Sequence, residues 1–146
     1  MPLASRTDPY LGARFFVEIE GVDQGGFTEC TGLQAEVEVT DYQEGGNNGY
    51  VHKLVGRTKF SNVVLKHGVT DSTDFWDWFQ DVQANPERRE TVTISLLDEE
   101  GNPVFVWTIV NAFPVKVSAP DLKSDANEIA VETIELAHEG ITQEAQ

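Results

Sequence analysis

Residues 91–110 read TVTISLLDEEGNPVFVWTIV, and this stretch decides the fold class. In its first half, apolar residues alternate with threonine and serine, which is the period-two pattern of a strand with one buried face. Glu-Glu-Gly-Asn at 99–102 then favours a tight turn that pairs strands 91–97 and 103–111 as a hairpin. The stretch Val104–Val110 is apolar on both faces, so both faces of the second strand are predicted to be covered. The inward residues of the first strand are Val92, Ile94 and Leu96.

Two upstream segments, 15–20 and 35–40, repeat the alternation and place glutamates on the opposite face. Each segment therefore predicts a half-buried strand in an antiparallel sheet that has one polar face. The residues predicted to point inward are Phe15, Val17, Ile19, Val37 and Val39.

A further segment breaks this rule, because its apolar phase changes partway along the chain. Ile129 and Val131 lie on one face of an extended chain, whereas Ile134 and Leu136 lie on the other. A β-bulge near Glu132–Thr133 would explain the change, as would burial of both faces against another subunit.

One segment, 71–83, has the periodicity of a helix rather than that of a strand. Thr70 or Asp71 can cap its N-terminus, and Asn85-Pro86 ends it. Its apolar residues recur at i, i+3, i+4 and i+7, which is typical of a helix that packs one stripe against a core. The residues predicted for this stripe are Phe75, Trp78, Phe79 and Val82.

Several strands and one helix predict a mainly β fold, a barrel or sandwich with a helix packed against it. The length of 146 residues fits a single domain. The ends of the chain, 1–9 and 141–146, are expected to be loose.

The net charge of −15 argues against several classes of partner. Phosphate backbones and anionic lipids both require clustered Lys and Arg, so we expect neither stable nucleic-acid binding nor membrane insertion. No apolar run reaches the length of a membrane span, and 1–8 lacks the apolar core of a signal peptide. These features predict a soluble chain that is made in the cytoplasm and whose copies repel one another at low salt.

Residues with catalytic or ligand-binding chemistry lack the spacings that such chemistry needs. The glycine-rich stretch GGNNG at 45–49 is not followed by the Gly-Lys-Ser/Thr of a phosphate-binding loop and leads into a strand. His52, His67 and His138 lie on separate segments without a metal-ligand spacing. Cys30, the single cysteine, is interpreted as a small buried hydrophobe. The sequence therefore predicts no enzyme, no cofactor and no metal site.

Three long blocks carry a resemblance to a known family. They are DPYLGARFFVEIEGVDQGGFTECTGL at 8–33, YQEGGNNGYVHKLVGRTKFSNVVLKHGVTDSTDFWDWFQDV at 42–82, and NAFPVKVSAPDLKSDANEIAVETIELAHEGI at 111–141. In order and spacing these blocks resemble the inner tube proteins of contractile phage tails and of related contractile injection systems. The resemblance spans nearly the full chain.

The resemblance implies two packed antiparallel β-sheets with one flanking α-helix, assembled as hexameric rings. The rings stack into a hollow tube inside a contractile sheath, and contraction drives the tube through a target envelope. The implied partners are further copies of the chain, the sheath protein, the baseplate or spike, and tube-terminating proteins. The assembled tail or injection particle is then the site of action.

The resemblance also places an extended hairpin loop over 41–59 that reaches a neighbouring subunit. A glycine-rich tip between two strands agrees with this, since it has no core of its own to hold it. The residues expected at this interface are Tyr42, Glu44, Gly45, Gly46, Asn47, Asn48, Gly49, Tyr50, His52 and Leu54.

One other class remains open at this stage. A small β-barrel binding module, such as a carbohydrate binder, would use Trp76, which lies off the helical stripe, or Trp107. Within the tube family, a phage tail and an injection system fit these residues equally well.

Overall fold

The computed structural model describes residues 14–20, 27–43, 45, 49–69, 73–124 and 129–145. Within these ranges the chain forms nine strands and one helix, and no helix there is long and apolar enough to cross a membrane. The elements are β1 Phe15–Ile19, β2 Phe27–Thr31, β3 Ala35–Tyr42, β4 His52–Phe60, β5 Val63–Gly68, α1 Asp74–Ala84, β6 Glu90–Leu97, β7 Pro103–Ser118, β8 Val131–Ala137 and β9 Gly140–Ala145.

The 16-residue strand β7 joins two antiparallel sheets. Its first half pairs with β6 on one side and β9 on the other, and β1 extends the sheet beyond β6, which gives the first sheet. From Phe113 onward β7 pairs with β8, followed by β5 and β2, which gives the second sheet. Between the halves Asn111 has φ 54°, a left-handed conformation that asparagine tolerates better than most residues. The predicted class of two antiparallel sheets with one helix is confirmed.

The core lies between the two sheets and is built from the alternating residues. Val17 and Ile19 of β1 and Val92 and Ile94 of β6 are at most 1% exposed, as their alternation predicted. Each such side chain contributes about 1.5–3 kcal/mol of burial free energy. On the outward face of β7, Val106 and Thr108 are half-buried and Val110 is exposed, so the predicted cover on this face is only partial within the subunit.

The predicted hairpin at 99–102 is confirmed. Strands β6 and β7 pair antiparallel, and the Asp98 side chain accepts hydrogen bonds from the backbone N–H groups of Glu100 and Asn102, both at 2.9 Å. Gly101 takes φ 87°, which a residue with a side chain would adopt only under strain.

The helix begins later than the sequence indicated, at Asp74 rather than at 71, with Thr73 at its N-cap. The residues predicted to cap it, Thr70 and Asp71, lie outside the described residues. It ends before Asn85-Pro86, as predicted. Of its apolar stripe, Phe75 and Trp78 are buried, whereas Phe79 and Val82 are half-buried.

Strand β8 contradicts the predicted bulge near Glu132–Thr133. Its register with β5 runs without a shift from Val131, opposite Gly68, to Leu136, opposite Val63. The inward face carries Glu132 in line with Ile134 and Leu136. The phase change therefore reflects a buried glutamate rather than an extra residue.

The buried Glu132 is paired with His67, which faces it across the two strands. The carboxylate Oε2 and the imidazole Nε2 lie 2.9 Å apart, and the two residues are 6% and 8% exposed. The rings of Phe27 and Phe75 pack on the imidazole, with centroids 5.7 and 4.5 Å away. Because an unpaired carboxylate at this depth would be strongly unfavourable, the pair fixes β5 and β8 beneath the helix.

The C-terminal end also differs from the expectation of a loose tail over 141–146. Gly140–Ala145 forms β9, which pairs antiparallel with β7 and places Ile141 opposite Ile109. The half-buried Ile141 packs against the core, and this contact holds the strand in place. The other end expected to be loose, 1–9, lies outside the described residues.

Strands β3 and β4 hold the largest departure from the sequence-based expectation. They hydrogen-bond only with each other, as a two-stranded ribbon separate from the other seven strands. Every residue of β3 is exposed, including Val37 and Val39, which were predicted to point inward. The alternation is present, but its apolar face does not join the core of the subunit.

Candidate assembly interface

The ribbon, defined as β3 and β4 with their connection, presents one apolar face. Val39 lies opposite Val55, and Val37 lies opposite Thr58, so these four side chains share a face. The exposed fractions of Val37, Val39 and Val55 are 42%, 59% and 83%. A contiguous exposed apolar face of this kind marks an interaction site in a soluble protein.

Two ion pairs lie on the ribbon, one at the tip end of the apolar face and one on the opposite face. Lys53 binds Asp41 near the tip, and Lys59 binds Glu38 nearer the root, each at 2.6 Å. Both pairs are exposed, so each contributes at most about 1 kcal/mol to stability.

At the tip of the ribbon three of the residues expected at the interface form an aromatic cluster. The His52 ring lies 4.9 Å from that of Tyr50 in an edge-on arrangement and 6.4 Å from that of Tyr42. Of the other expected residues, Leu54 is 51% exposed and lies on the other face of the ribbon from Val55. Gly45 and Gly49 are described, whereas Glu44, Gly46, Asn47 and Asn48 lie outside the described residues.

The root of the ribbon is tightly constrained. Gly32 has φ 94°, and a Cβ there would lie 2.0 Å from the backbone oxygen of Asn62. Gln34 donates to the Ser61 hydroxyl at 2.6 Å, and His138 Nε2 donates to the Ser61 carbonyl at 2.8 Å. These contacts fix the direction in which the ribbon leaves the body of the subunit.

The first sheet ends in two strands whose outer edges have no partner among the described residues, β1 and β9. Because each neighbouring pair in this sheet is antiparallel, β1 and β7 run one way and β6 and β9 the other. The β9 edge of one copy and the β1 edge of another, equally oriented copy would therefore meet as antiparallel strands.

The outward face of the first sheet is polar along one register row. Glu18, Thr93, Thr108 and Thr142 are aligned across β1, β6, β7 and β9. This row runs from one free edge of the sheet to the other.

The groups considered for catalysis are not gathered at one place. Burial raises the pKa of the Cys30 thiol to about 11, so the half-buried side chain is protonated at neutral pH and is a poor nucleophile. His67 is engaged by Glu132 in the core, and His138 by the Ser61 carbonyl. In the described ranges, no three His, Cys, Asp or Glu side chains are grouped so as to hold a metal ion.

The tryptophans considered for a binding module are also separated. Trp76 is 41% exposed on the helix, whereas Trp107 is half-buried on β7 and donates to the side chain of Gln143 at 3.2 Å.

Three valines of the ribbon, Val37, Val39 and Val55, were not among the residues expected at the interface. Their signal was present in the sequence, since pairing 35–42 with 52–60 as a hairpin aligns all three valines on one face. Because the tip is rich in glycine, the interface was predicted around the tip of the hairpin rather than on the valine face of its strands.

The sequence and the fold were compared with known proteins. The family model described as T4-like virus tail tube protein gp19 matches residues 12–142. A search of the curated proteins finds no match.

Solved structures give a consistent result. A chain of the PVC sheath–tube complex, from an extracellular contractile injection system in the extended state, is 28% identical with TM-score 0.85, over 94% of this chain and 93% of that chain. A chain of the tube-terminating cap of the anti-feeding prophage is 28% identical with TM-score 0.88, over 99% and 97%. Hcp1 from Flavobacterium johnsoniae is 13% identical with TM-score 0.55, over 91% and 96%, and shares the fold alone.

Proposed function

The chain belongs to the T4-like virus tail tube protein gp19 family, and from this premise we propose that its copies form hexameric rings that stack into the inner tube of a contractile tail or injection system. Its role in such a particle is structural, and the proposal includes no catalytic step. We place its synthesis in the cytoplasm and its action in the assembled particle.

The observation that carries this proposal is the uncovered apolar face of the ribbon. Val39 and Val55 are among the more exposed apolar residues of the described chain, although Val37 and Val39 alternate along β3 as core residues do. A second copy of the chain would remove this face from water. The aromatic cluster of Tyr42, Tyr50 and His52, with the glycine-rich connection, would extend the same contact.

The free edges of the first sheet support ring closure. Pairing β9 of one copy with β1 of the next would continue the sheet and remove both edges, as barrels do. Identical head-to-tail contacts of this kind give a closed ring in the plane and an open stack along the axis.

The outward face of the first sheet would then line the lumen. The row of Glu18, Thr93, Thr108 and Thr142 would become a continuous polar band around the ring. No Lys or Arg of the described chain lies in this row, which fits a channel that does not hold a polyanion.

The helix and the ends of the tube would meet other proteins. Similar chains occur in a sheath–tube complex, a baseplate and a tube-terminating cap. We extend these partners to this chain. The acidic outer side of α1, with Asp77 and the exposed Trp76, is our candidate surface for the sheath.

Negative-stain electron microscopy of two variants tests the proposal. Val55→Asp should leave the subunit folded, because an exposed position costs within about 0.5 kcal/mol, yet it should abolish tubes by placing a charge in the contact. Val55→Thr, which keeps the shape, should form tubes with reduced yield. Circular dichroism reports the fold of both variants.

Two results would contradict the proposal. If the wild-type protein forms neither rings nor tubes under any assembly condition, the proposed role in a tube is wrong. Normal tubes from Val55→Asp would show that the apolar face has no part in it.

A further inference from the structure

An apolar groove opens between the two sheets beside the root of the ribbon. It has a volume of about 410 Å³ and a mainly apolar lining. Its lining residues are Phe15, Cys30, Leu33, Ile94, Leu96 and Trp107, together with the polar Thr28 and Glu29. Leu33 lies two residues before β3, so the groove and the ribbon adjoin each other in sequence.

The exposed valines Val39 and Val55 of the ribbon do not line the groove of their own chain. Val39 lies four residues beyond the start of β3 at Ala35, which places it about 13 Å farther along an extended strand. The contacts at Gly32, Ser61 and His138 hold the ribbon in its outward direction. A convex apolar face and a concave apolar groove therefore coexist on one chain without meeting.

Charge favours a second copy of this chain as the occupant of the groove. Strands β3 and β4 carry three acidic and three basic side chains and are neutral, in a chain with net charge −15. At the rim of the groove, Glu29 is neutralised by Lys66 at 3.2 Å. These two strands are thus a part of this acidic molecule that can approach another copy without strong repulsion.

We propose that the groove between the sheets receives the Val39–Val55 row of the ribbon from a neighbouring copy. The inference rests on the proposed tube function and names the receiving surface of that contact. Two different patches of one chain then meet head to tail, which is the kind of contact that propagates along a tube.

Crosslinking to Cys30 tests this contact, because the chain has no other cysteine. In tubes of Val55→Cys, a short thiol-specific bis-methanethiosulfonate reagent should join the introduced thiol to Cys30 of the next copy and give a ladder of linked subunits on a denaturing gel. Leu54→Cys is the matched control, since it is also exposed but lies on the other face. Tubes of Leu54→Cys and of the wild type should give only the band of the single subunit on the same gel. The reaction is run at alkaline pH, because burial raises the pKa of Cys30 to about 11.

A second measurement needs no substitution. At the same alkaline pH, wild-type Cys30 should react with a small thiol reagent in the free subunit and be protected in the tube. Tubes that leave Cys30 as reactive as before, with no ladder from Val55→Cys, would overturn the inference while leaving the tube function standing. Protection already in the free subunit would show that the chain covers its own groove, which also overturns it. Absence of any tubes would overturn both proposals.

Discussion

Gly32 shows how a single residue sets the direction of a large element. Its φ of 94° lies in the region that residues with a side chain avoid. A Cβ at this position would also lie 2.0 Å from the Asn62 carbonyl oxygen, a backbone atom that cannot rotate away. Both constraints act where the ribbon leaves the second sheet.

We therefore expect Gly32→Ala to destabilise the subunit and to impair assembly. Gly101→Ala is the matched control, since Gly101 has φ 87° but a Cβ added there would meet no atom within 4 Å. The control should lose about 1–2 kcal/mol of unfolding free energy from the backbone conformation alone. Gly32→Ala should lose clearly more, and urea denaturation measures both. Equal losses would show that the contact with Asn62 relaxes freely.

At the scale of elements, the helix separates a core face from an outer face within three residues. Trp78 is 1% exposed, whereas Trp76 is 41% exposed on the opposite side of the same turn. Trp78→Ala should lower the unfolding free energy by about 3–5 kcal/mol, because it leaves a large cavity beneath α1. Trp76→Ala should cost much less, and thermal melts compare the two. Similar midpoints for both variants would contradict this orientation of the helix.

Local pattern sufficed for elements whose buried face lies within the subunit. The alternation at 15–20 and 91–96 and the turn at 99–102 indicated β1, β6 and the start of β7. An alternating pattern implies that a second layer covers the apolar face, and a turn signal implies a hairpin partner. These segments have both kinds of contact within the subunit. The family resemblance added the prediction of a ring, of a stack and of an extended hairpin that reaches a neighbouring subunit.

The alternation pattern misled where the contacts of a face cannot be read from the strand's own sequence. The valines of β3 alternate like core residues, but period two records only that a face is apolar, not which molecule covers it. In β8 the buried Glu132 made the inward face appear polar, since its partner His67 lies 65 residues away. The short strand β9 was missed because its stability comes from pairing with β7 rather than from its own sequence.

At the scale of the whole molecule, apolar contact and charge act in opposite directions. The ribbon, the groove and two sheet edges favour contact between copies, whereas a net charge of −15 opposes it. Contacts between packed or paired surfaces act over a few ångströms. Repulsion between the acidic bodies acts over the Debye length, which is about 10 Å at 0.1 M salt and about 3 Å at 1 M. Salt therefore weakens the repulsion and leaves the apolar contacts intact.

Purified subunits should accordingly assemble more readily as sodium chloride rises, with light scattering reporting polymer and electron microscopy confirming tubes. A variant with Glu99→Gln and Glu100→Gln tests the cause, because both side chains are exposed in the β6–β7 turn and neither belongs to the ribbon. Removing two negative charges should shift the onset of assembly to lower salt and flatten the dependence. Scattering that falls steadily as salt is added would mean that ion pairs between copies, rather than apolar contacts, hold the tube together.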